Sequence, residues 1–294
     1  MSFKFLIPFA LMFALQNFFA FAEEETTRQL WDTQFVEQPE KTPSKKPAKR
    51  RYRVATPEVA PAGVAPETVV GVSVWRLRRS AANDEGARLL VQENDQPVEW
   101  TPQRVEADST FSEGDRVRLS IEGAREGYLY VIDREQFADG TVGEPYLIFP
   151  TTRTSGGNNK ITVGRVVEIP SQDDRPPHFT VRLSRPDQKG ELLSILITPE
   201  PLSGLNIGSQ PIVLSKEQVS EWEKLYRREG GRLELEGGAG QTWTNAEKEA
   251  GAGNTKLLRI DPKPQSLFYT NNTKSGDPVM VNVELKYQRA QANP

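Results

Sequence analysis

Arg116-Val117-Arg118-Leu119-Ser120-Ile121-Glu122, a turn from Gly123 to Gly127, and then Tyr128-Leu129-Tyr130-Val131-Ile132 decide the fold class. In the first run Val117, Leu119 and Ile121 point one way and the polar residues the other. That is the two-residue period of a half-buried strand. The second run is richer in apolar residues and reads as a more central strand.

Working outward, the same rhythm recurs on both sides. Val70, Val72 and Val74 alternate, and the phase slips near Trp75, which predicts a bulge or a strand buried on both faces. Leu89-Leu90-Val91 is a short strand candidate. Tyr146 to Phe149 ends in Pro150, Ile161 to Ile169 reads as one strand with Gly164 inside it, and Phe179 to Leu183 alternates again. Gly156-Gly157-Asn158-Asn159 is a turn. Leu192 to Ile197 is the most apolar run and the expected core. Short strands separated by Gly/Pro turns predict a mainly β chain: an antiparallel β-sandwich, immunoglobulin-like or similar, with one or two short helices in a C-terminal extension.

Those helices carry their own signals. Ser215 caps the first, with Gln218 at the capping-box position and Val219, Trp222, Leu225 and Tyr226 on one face before Glu229-Gly230-Gly231. Thr244 and Glu247 predict a second over Asn245 to Ala250. Val281, Val283 and Leu285 alternate in a last strand that should pair back into the sheet.

The N-terminal part is of another kind. Lys4, the apolar run Phe5 to Phe19 and the small-x-small site Ala20-Phe21-Ala22 form a secretory signal over 1–22, with cleavage expected between Ala22 and Glu23. The product is expected to be extracytoplasmic, periplasmic or secreted. Residues 23–66 read as a disordered Pro/Lys-rich tether, kept extended by its prolines. Inside it, Lys41 to Arg53 carries seven basic residues in 13. Lys45, Lys46, Lys49, Arg50, Arg51 and Arg53 are therefore candidate contacts to an anionic envelope surface, each worth ~1 kcal/mol there. The expected organisation continues with a β domain over 67–202, a helix-containing extension over 203–288 and a disordered tail over 289–294.

Composition removes most chemistry. With no cysteine there are no disulfides, thiolate nucleophiles, Cys-metal sites or lipidated cysteine. His178 is the single histidine, so a zinc site of several histidines is impossible and any Ser-His-Asp triad would have to use it. Removing Lys4 with the signal takes the net charge from −3 to −4, which argues against nucleic acid as the partner. No cofactor motif stands in the chain: Gly237-Gly238-Ala239-Gly240 lacks the Gly-Lys-Ser/Thr of a phosphate cradle.

Phe111-Ser-Glu-Gly-Asp115-Arg-Val-Arg-Leu119, Gly127-Tyr-Leu-Tyr-Val131 and Leu147-Ile-Phe-Pro150 resemble the bacterial family catalogued as domain of unknown function 4384. Gly157-Asn-Asn159, Gly164, Glu168-Ile-Pro170, Gly190-Glu191-Leu192 and Leu196 continue the order, so the resemblance spans about residues 70–202. It implies an all-β, often exported module with no assigned reaction or ligand, and so no catalytic residue is carried over.

Asp133, Glu135 and Asp139 stand at strand ends and are the acidic candidates, for a carboxylate enzyme or, for Asp133 and Asp139, a cation. The stretch Asp133 to Gly140 lacks the Asp-x-Asp-x-Asp-Gly spacing of a calcium loop and reads as a solvated hairpin loop. Asp173-Asp174-Arg175-Pro176-Pro177-His178 reads as a surface loop. Trp100, Trp222 and Trp243 are the aromatic candidates for glycan contact, with Trp222 better suited to a buried helix face. The expectation is a non-enzymatic binding module of the bacterial envelope, its partner an envelope protein or polysaccharide. The alternatives are a carboxylate enzyme acting on envelope glycans and a structural part of an envelope assembly. An acidic pair in a cleft lined with tryptophan would favour the enzyme.

Overall fold

The computed structural model describes residues 52–56, 68–228, 230–252, 263–270 and 276–288. The expected signal, its cleavage site at Ala22 and Glu23, most of the tether with Lys45, Lys46, Lys49, Arg50 and Arg51, and the tail lie outside these residues. In chain order the strands are β1 (Tyr52–Thr56), β2 (Thr68–Arg79), β3 (Leu89–Glu93), β4 (Gln96–Val105), β5 (Thr110–Phe111), β6 (Arg116–Gly123), β7 (Gly127–Phe137) and β8 (Tyr146–Phe149). They continue as β9 (Lys160–Ile161), β10 (Val166–Ile169), β11 (Phe179–Thr180), β12 (Gln188–Thr198), β13 (Ile212–Val213), β14 (Gly230–Leu235), β15 (Ser266–Thr270) and β16 (Val279–Tyr287). The helices are α1 (Lys216–Tyr226) and α2 (Asn245–Gly251).

The strands form a β-sandwich. One sheet has nine strands, running β1-β14-β15-β2-β4-β3, with β6 on the other side of β2 and β10 and β11 beyond it. The second has seven, running β13-β8-β7-β12-β16-β5, with β9 also on β7. Pairing is antiparallel except between β16 and β5. Val70, Val72 and Val74 of β2 and Val117, Leu119 and Ile121 of β6 meet Leu129 and Val131 of β7, Leu193, Ile195 and Ile197 of β12 and Val281 and Val283 of β16 in the core. Every second residue of each strand supplies this core, because side chains alternate across a sheet.

Each outer face is covered in its own way. On the seven-stranded sheet, Val219 and Trp222 of α1 pack on Tyr130, Ile132, Leu147, Leu196 and Met280. The Ser215 hydroxyl accepts the Gln218 amide at 3.0 Å, as the cap predicts. On the nine-stranded sheet, Trp75 and Leu77 pack with Leu89, Val91 and Trp243. That settles the phase slip at Trp75. β2 is buried on both faces, and its pairing with β6 runs unbroken from Val70 to Leu77. At the head of α2 the Thr244 hydroxyl accepts from the Glu247 amide while the Glu247 carboxylate accepts from the Thr244 amide, a complete capping box.

Several expectations are corrected. Tyr52–Thr56, assigned to the tether, is an edge strand on β14. Ile161 to Ile169 is not one strand: Gly164, at φ 74°, turns the chain, so β9 joins one sheet and β10 the other. Gln96–Val105 is a strand despite Pro97 and Pro102. Leu225 is exposed rather than part of the buried helix face, and Gly230-Gly231 begins β14 instead of closing α1. The extension is woven into the sandwich, since β14 and β15 belong to the first sheet and β16 to the second.

Candidate functional site

The inward series of β7 reads Leu129, Val131, Asp133, Glu135. The inward series of β12 reads Ile197, Ile195, Leu193, Glu191. Register makes these series meet: Val131 lies opposite Ile195, Asp133 opposite Leu193 and Glu135 opposite Glu191. On the other flank Glu191 lies opposite Leu285, and Tyr287 follows in the same phase of β16. Strand alternation thus carries three carboxylates and a tyrosine onto the core side of the seven-stranded sheet, at one end of the sandwich.

There the sheets enclose a cavity of about 220 Å³. Val117 and Leu119 of β6 face it from one sheet; Asp133, Glu191, Leu193, Leu285 and Tyr287 line it from the other. Phe179, which also lines it, is exposed to solvent, so the cavity reaches the surface there. Asp133 as a residue is only partly covered, yet its Oδ1 is fully enclosed and has no hydrogen-bond partner. Buried polar atoms are normally satisfied, so this one needs an explanation.

Electrostatics single out the same group. Burial, then the neighbouring Glu191 and Glu135, hold the Asp133 carboxyl well above the usual carboxylate range, against a smaller opposing pull from Arg134. Burial also raises Glu191, with the neighbouring Tyr287 opposing. The phenol of Tyr287 is itself held up by burial and by Glu191. The pair therefore keeps a proton to higher pH than solvated carboxyls would. No arginine or lysine is ion-paired with Asp133 or Glu191 among the described residues.

A second buried charged region lies on the outer face of the nine-stranded sheet, beneath α2. Arg104 is ion-paired with Glu247, and Arg118 with Glu168 at 2.9 Å. The guanidinium of Arg104 stands 5.1 Å from the Trp75 ring and that of Arg118 5.1 Å from the Trp243 ring. Glu122, fully enclosed nearby, is pushed up to about 8 by burial, with Arg104 and Lys263 opposing. The void here is about 10 Å³, room for a single water at most. A larger groove of about 570 Å³ runs along β14, β15 and β16 and is lined by Arg227, Arg228, Arg232 and Lys286, with Asp108 and Glu284 among them.

The sequence candidates scatter. Asp133 and Glu135 lie inside β7, not in a hairpin loop, because the strand runs on to Phe137. Asp139 sits in the exposed turn beyond, accepting from the Thr141 amide at 2.8 Å and from Arg185 at 3.2 Å. The two therefore do not form one loop site, and no group of three or more His, Asp or Glu side chains suited to a metal occurs among the described residues. His178 is buried, correcting the surface-loop reading, and burial pushes it down to about 4. Arg53 is exposed and ion-paired with Glu106 at 2.6 Å. Trp222 and Trp243 are buried, while Trp100 is half-buried between Arg79 and Arg116 and donates to Glu93 at 3.0 Å.

Sequence reasoning missed Glu191 and Tyr287. The signal was present: Glu191 is in step with Leu193, Ile195 and Ile197, and Tyr287 with Val283 and Leu285, so both had to face inward. No helix among the described residues is long and apolar enough to cross a membrane. Set against known proteins, the chain matches no family model, no curated protein and no solved structure.

Proposed function

We propose that the protein is an exported, non-enzymatic binding module of the bacterial cell envelope, its partner an envelope protein or polysaccharide that reaches the cavity between the sheets with a small side group. The observation that carries this reading is Asp133, which lines a cavity that reaches solvent and whose enclosed Oδ1 has no hydrogen-bond partner. A buried acceptor without a donor is satisfied when a ligand supplies one. The basic run Lys45 to Arg51 adds attraction to an anionic surface. The resemblance to domain of unknown function 4384 fits the same reading.

Size argues for binding over turnover of a polymer. Ligand pockets commonly span ~300–1,000 Å³. At about 220 Å³, lined largely by apolar side chains and without tryptophan, this one suits a single side chain or short aliphatic group better than a sugar ring with its flanking residues. The raised carboxyls of Asp133 and Glu191 favour a second reading, a carboxylate enzyme acting on envelope glycans. One experiment separates them. The full chain and its Asp133→Asn form are used to capture partners from envelope extract, and both are assayed for release of reducing ends from wall polysaccharide. Capture without hydrolysis supports the module; hydrolysis lost in Asp133→Asn overturns it in favour of the enzyme.

A further inference from the structure

Resting on the binding reading, we infer that the inter-sheet cavity takes an ammonium group carried on an aliphatic stem, with Asp133 and Glu191 as its counter-ions. The lining divides by chemistry. Val117, Leu119, Leu193 and Leu285 offer apolar wall from both sheets, whereas Asp133 and Glu191 put acceptors on one of them. A long alkylammonium has that polarity: methylenes that lie along apolar surface and a compact charge at the tip.

Three features choose ammonium over other heads. A carboxylate or phosphate would meet two acidic side chains and is repelled. A neutral hydroxyl brings no counter-charge to the acidic pair. A guanidinium is planar and seeks a coplanar bidentate acceptor, whereas an ammonium has three rotatable donors and suits acceptors arriving from different strands. Here they come from β7 and β12, on residues that are diagonal neighbours in the register. Tyr287 of β16 stands beside Glu191 on the cavity wall.

The charged and titratable groups acting on Asp133 are Glu191 from β12, Glu135 and Arg134 from its own strand and Tyr287 from β16. Arg134 turns its guanidinium away, to Ser194 at 2.9 Å and Glu223 at 2.5 Å. The local field is therefore acidic. A bound cation favours the ionised pair, so affinity should rise with pH until both carboxyls have lost their protons.

Such a head group has two sources, a lysine side chain of a polypeptide or a small free amine. Titration calorimetry of the full chain at pH 8 with n-pentylammonium, 1-pentanol, pentanoate and Nα-acetyl-lysine N-methylamide tests the inference and distinguishes them. We expect n-pentylammonium to bind at least tenfold more tightly than 1-pentanol, with pentanoate silent, weaker binding at pH 5, and a tenfold or greater loss in Asp133→Asn. Lysine amide binding as well as n-pentylammonium assigns a polypeptide source; binding of the free amine alone assigns a small amine. Equal affinity for 1-pentanol and n-pentylammonium, or no binding of either by folded protein, overturns the inference. The comparison among probes needs only the wild-type chain, so it decides the matter even if Asp133→Asn fails to fold. If envelope capture persists in Asp133→Asn and in excess n-pentylammonium, the cavity inference fails and the binding module stands; hydrolysis of wall glycan removes the module itself.

Discussion

Two parts of this protein bury carboxylates, and they do so in opposite ways. Beneath α2, Glu247 and Glu168 each have an arginine, the arginines rest on tryptophan rings, and the remaining space is the size of a water. Between the sheets, Asp133 and Glu191 lie beside each other without an ion-paired arginine or lysine among the described residues, and a cavity of about 220 Å³ is next to them. Burial raises Glu168 in the first and Asp133 and Glu191 in the second. The first region spends its charges on holding the C-terminal segment against the nine-stranded sheet. The second leaves a demand open, and an open demand next to open space is where an outside molecule contributes.

The largest effect that would test this contrast is loss of one paired partner. Arg118→Met leaves Glu168 buried and alone, and removal of one member of a buried pair costs about 3–5 kcal/mol. Urea unfolding should show that loss; a cost below about 1 kcal/mol would mean water already reaches the pair.

Next comes pH. Glu122 is raised from 4.5 to about 8, so between those values the folded state holds a proton that the unfolded chain releases. Its contribution is fully present below pH 4.5 and is lost as pH climbs towards 8, by at most ~1.4 kcal/mol per unit and a few kcal/mol in all. Glu122→Gln should flatten that part of the stability profile. An unchanged slope would show that other groups set it.

A smaller effect of opposite sign is expected in the cavity. Asp133→Asn removes an unpaired buried carboxyl and should raise stability by about 1 kcal/mol, read as a higher Tm. A drop of several kcal/mol would place Asp133 with the paired carboxylates and erase the contrast. The smallest effect belongs to the exposed pair of Arg53 and Glu106. Arg53→Gln should change stability by about 0–1 kcal/mol, less at high salt, as a solvent-facing reference for the buried pairs.

Fold class was legible because it rests on local alternation, which Val70 to Val74, Val117 to Ile121 and Val281 to Leu285 display plainly. The caps at Ser215 and Thr244 were legible for the same local reason. β1 was not, because an edge strand needs only the backbone of β14, and prolines around it mask the signal. β4 was hidden by Pro97 and Pro102, although Asn94 and Asp95, both at positive φ, are the residue types of a tight hairpin turn. Asp133 and Glu135 read as a loop in the sequence because polarity usually marks strand ends; here the strand continues inward with charge. The cavity itself is a product of register among β7, β12 and β16, segments distant in sequence, and no local pattern states that register.

The position of β16 bears on how the chain is made. Val279–Tyr287 follows every other described strand, yet it lies between β12 and β5 and supplies Val281, Val283 and Leu285 to the core. A polypeptide synthesised N-terminus first therefore has β12 uncovered on one flank until Val279–Tyr287 has emerged. Until then β12 presents an apolar strand edge, and an early stop upstream of Val279 would leave that edge for quality-control machinery to grip.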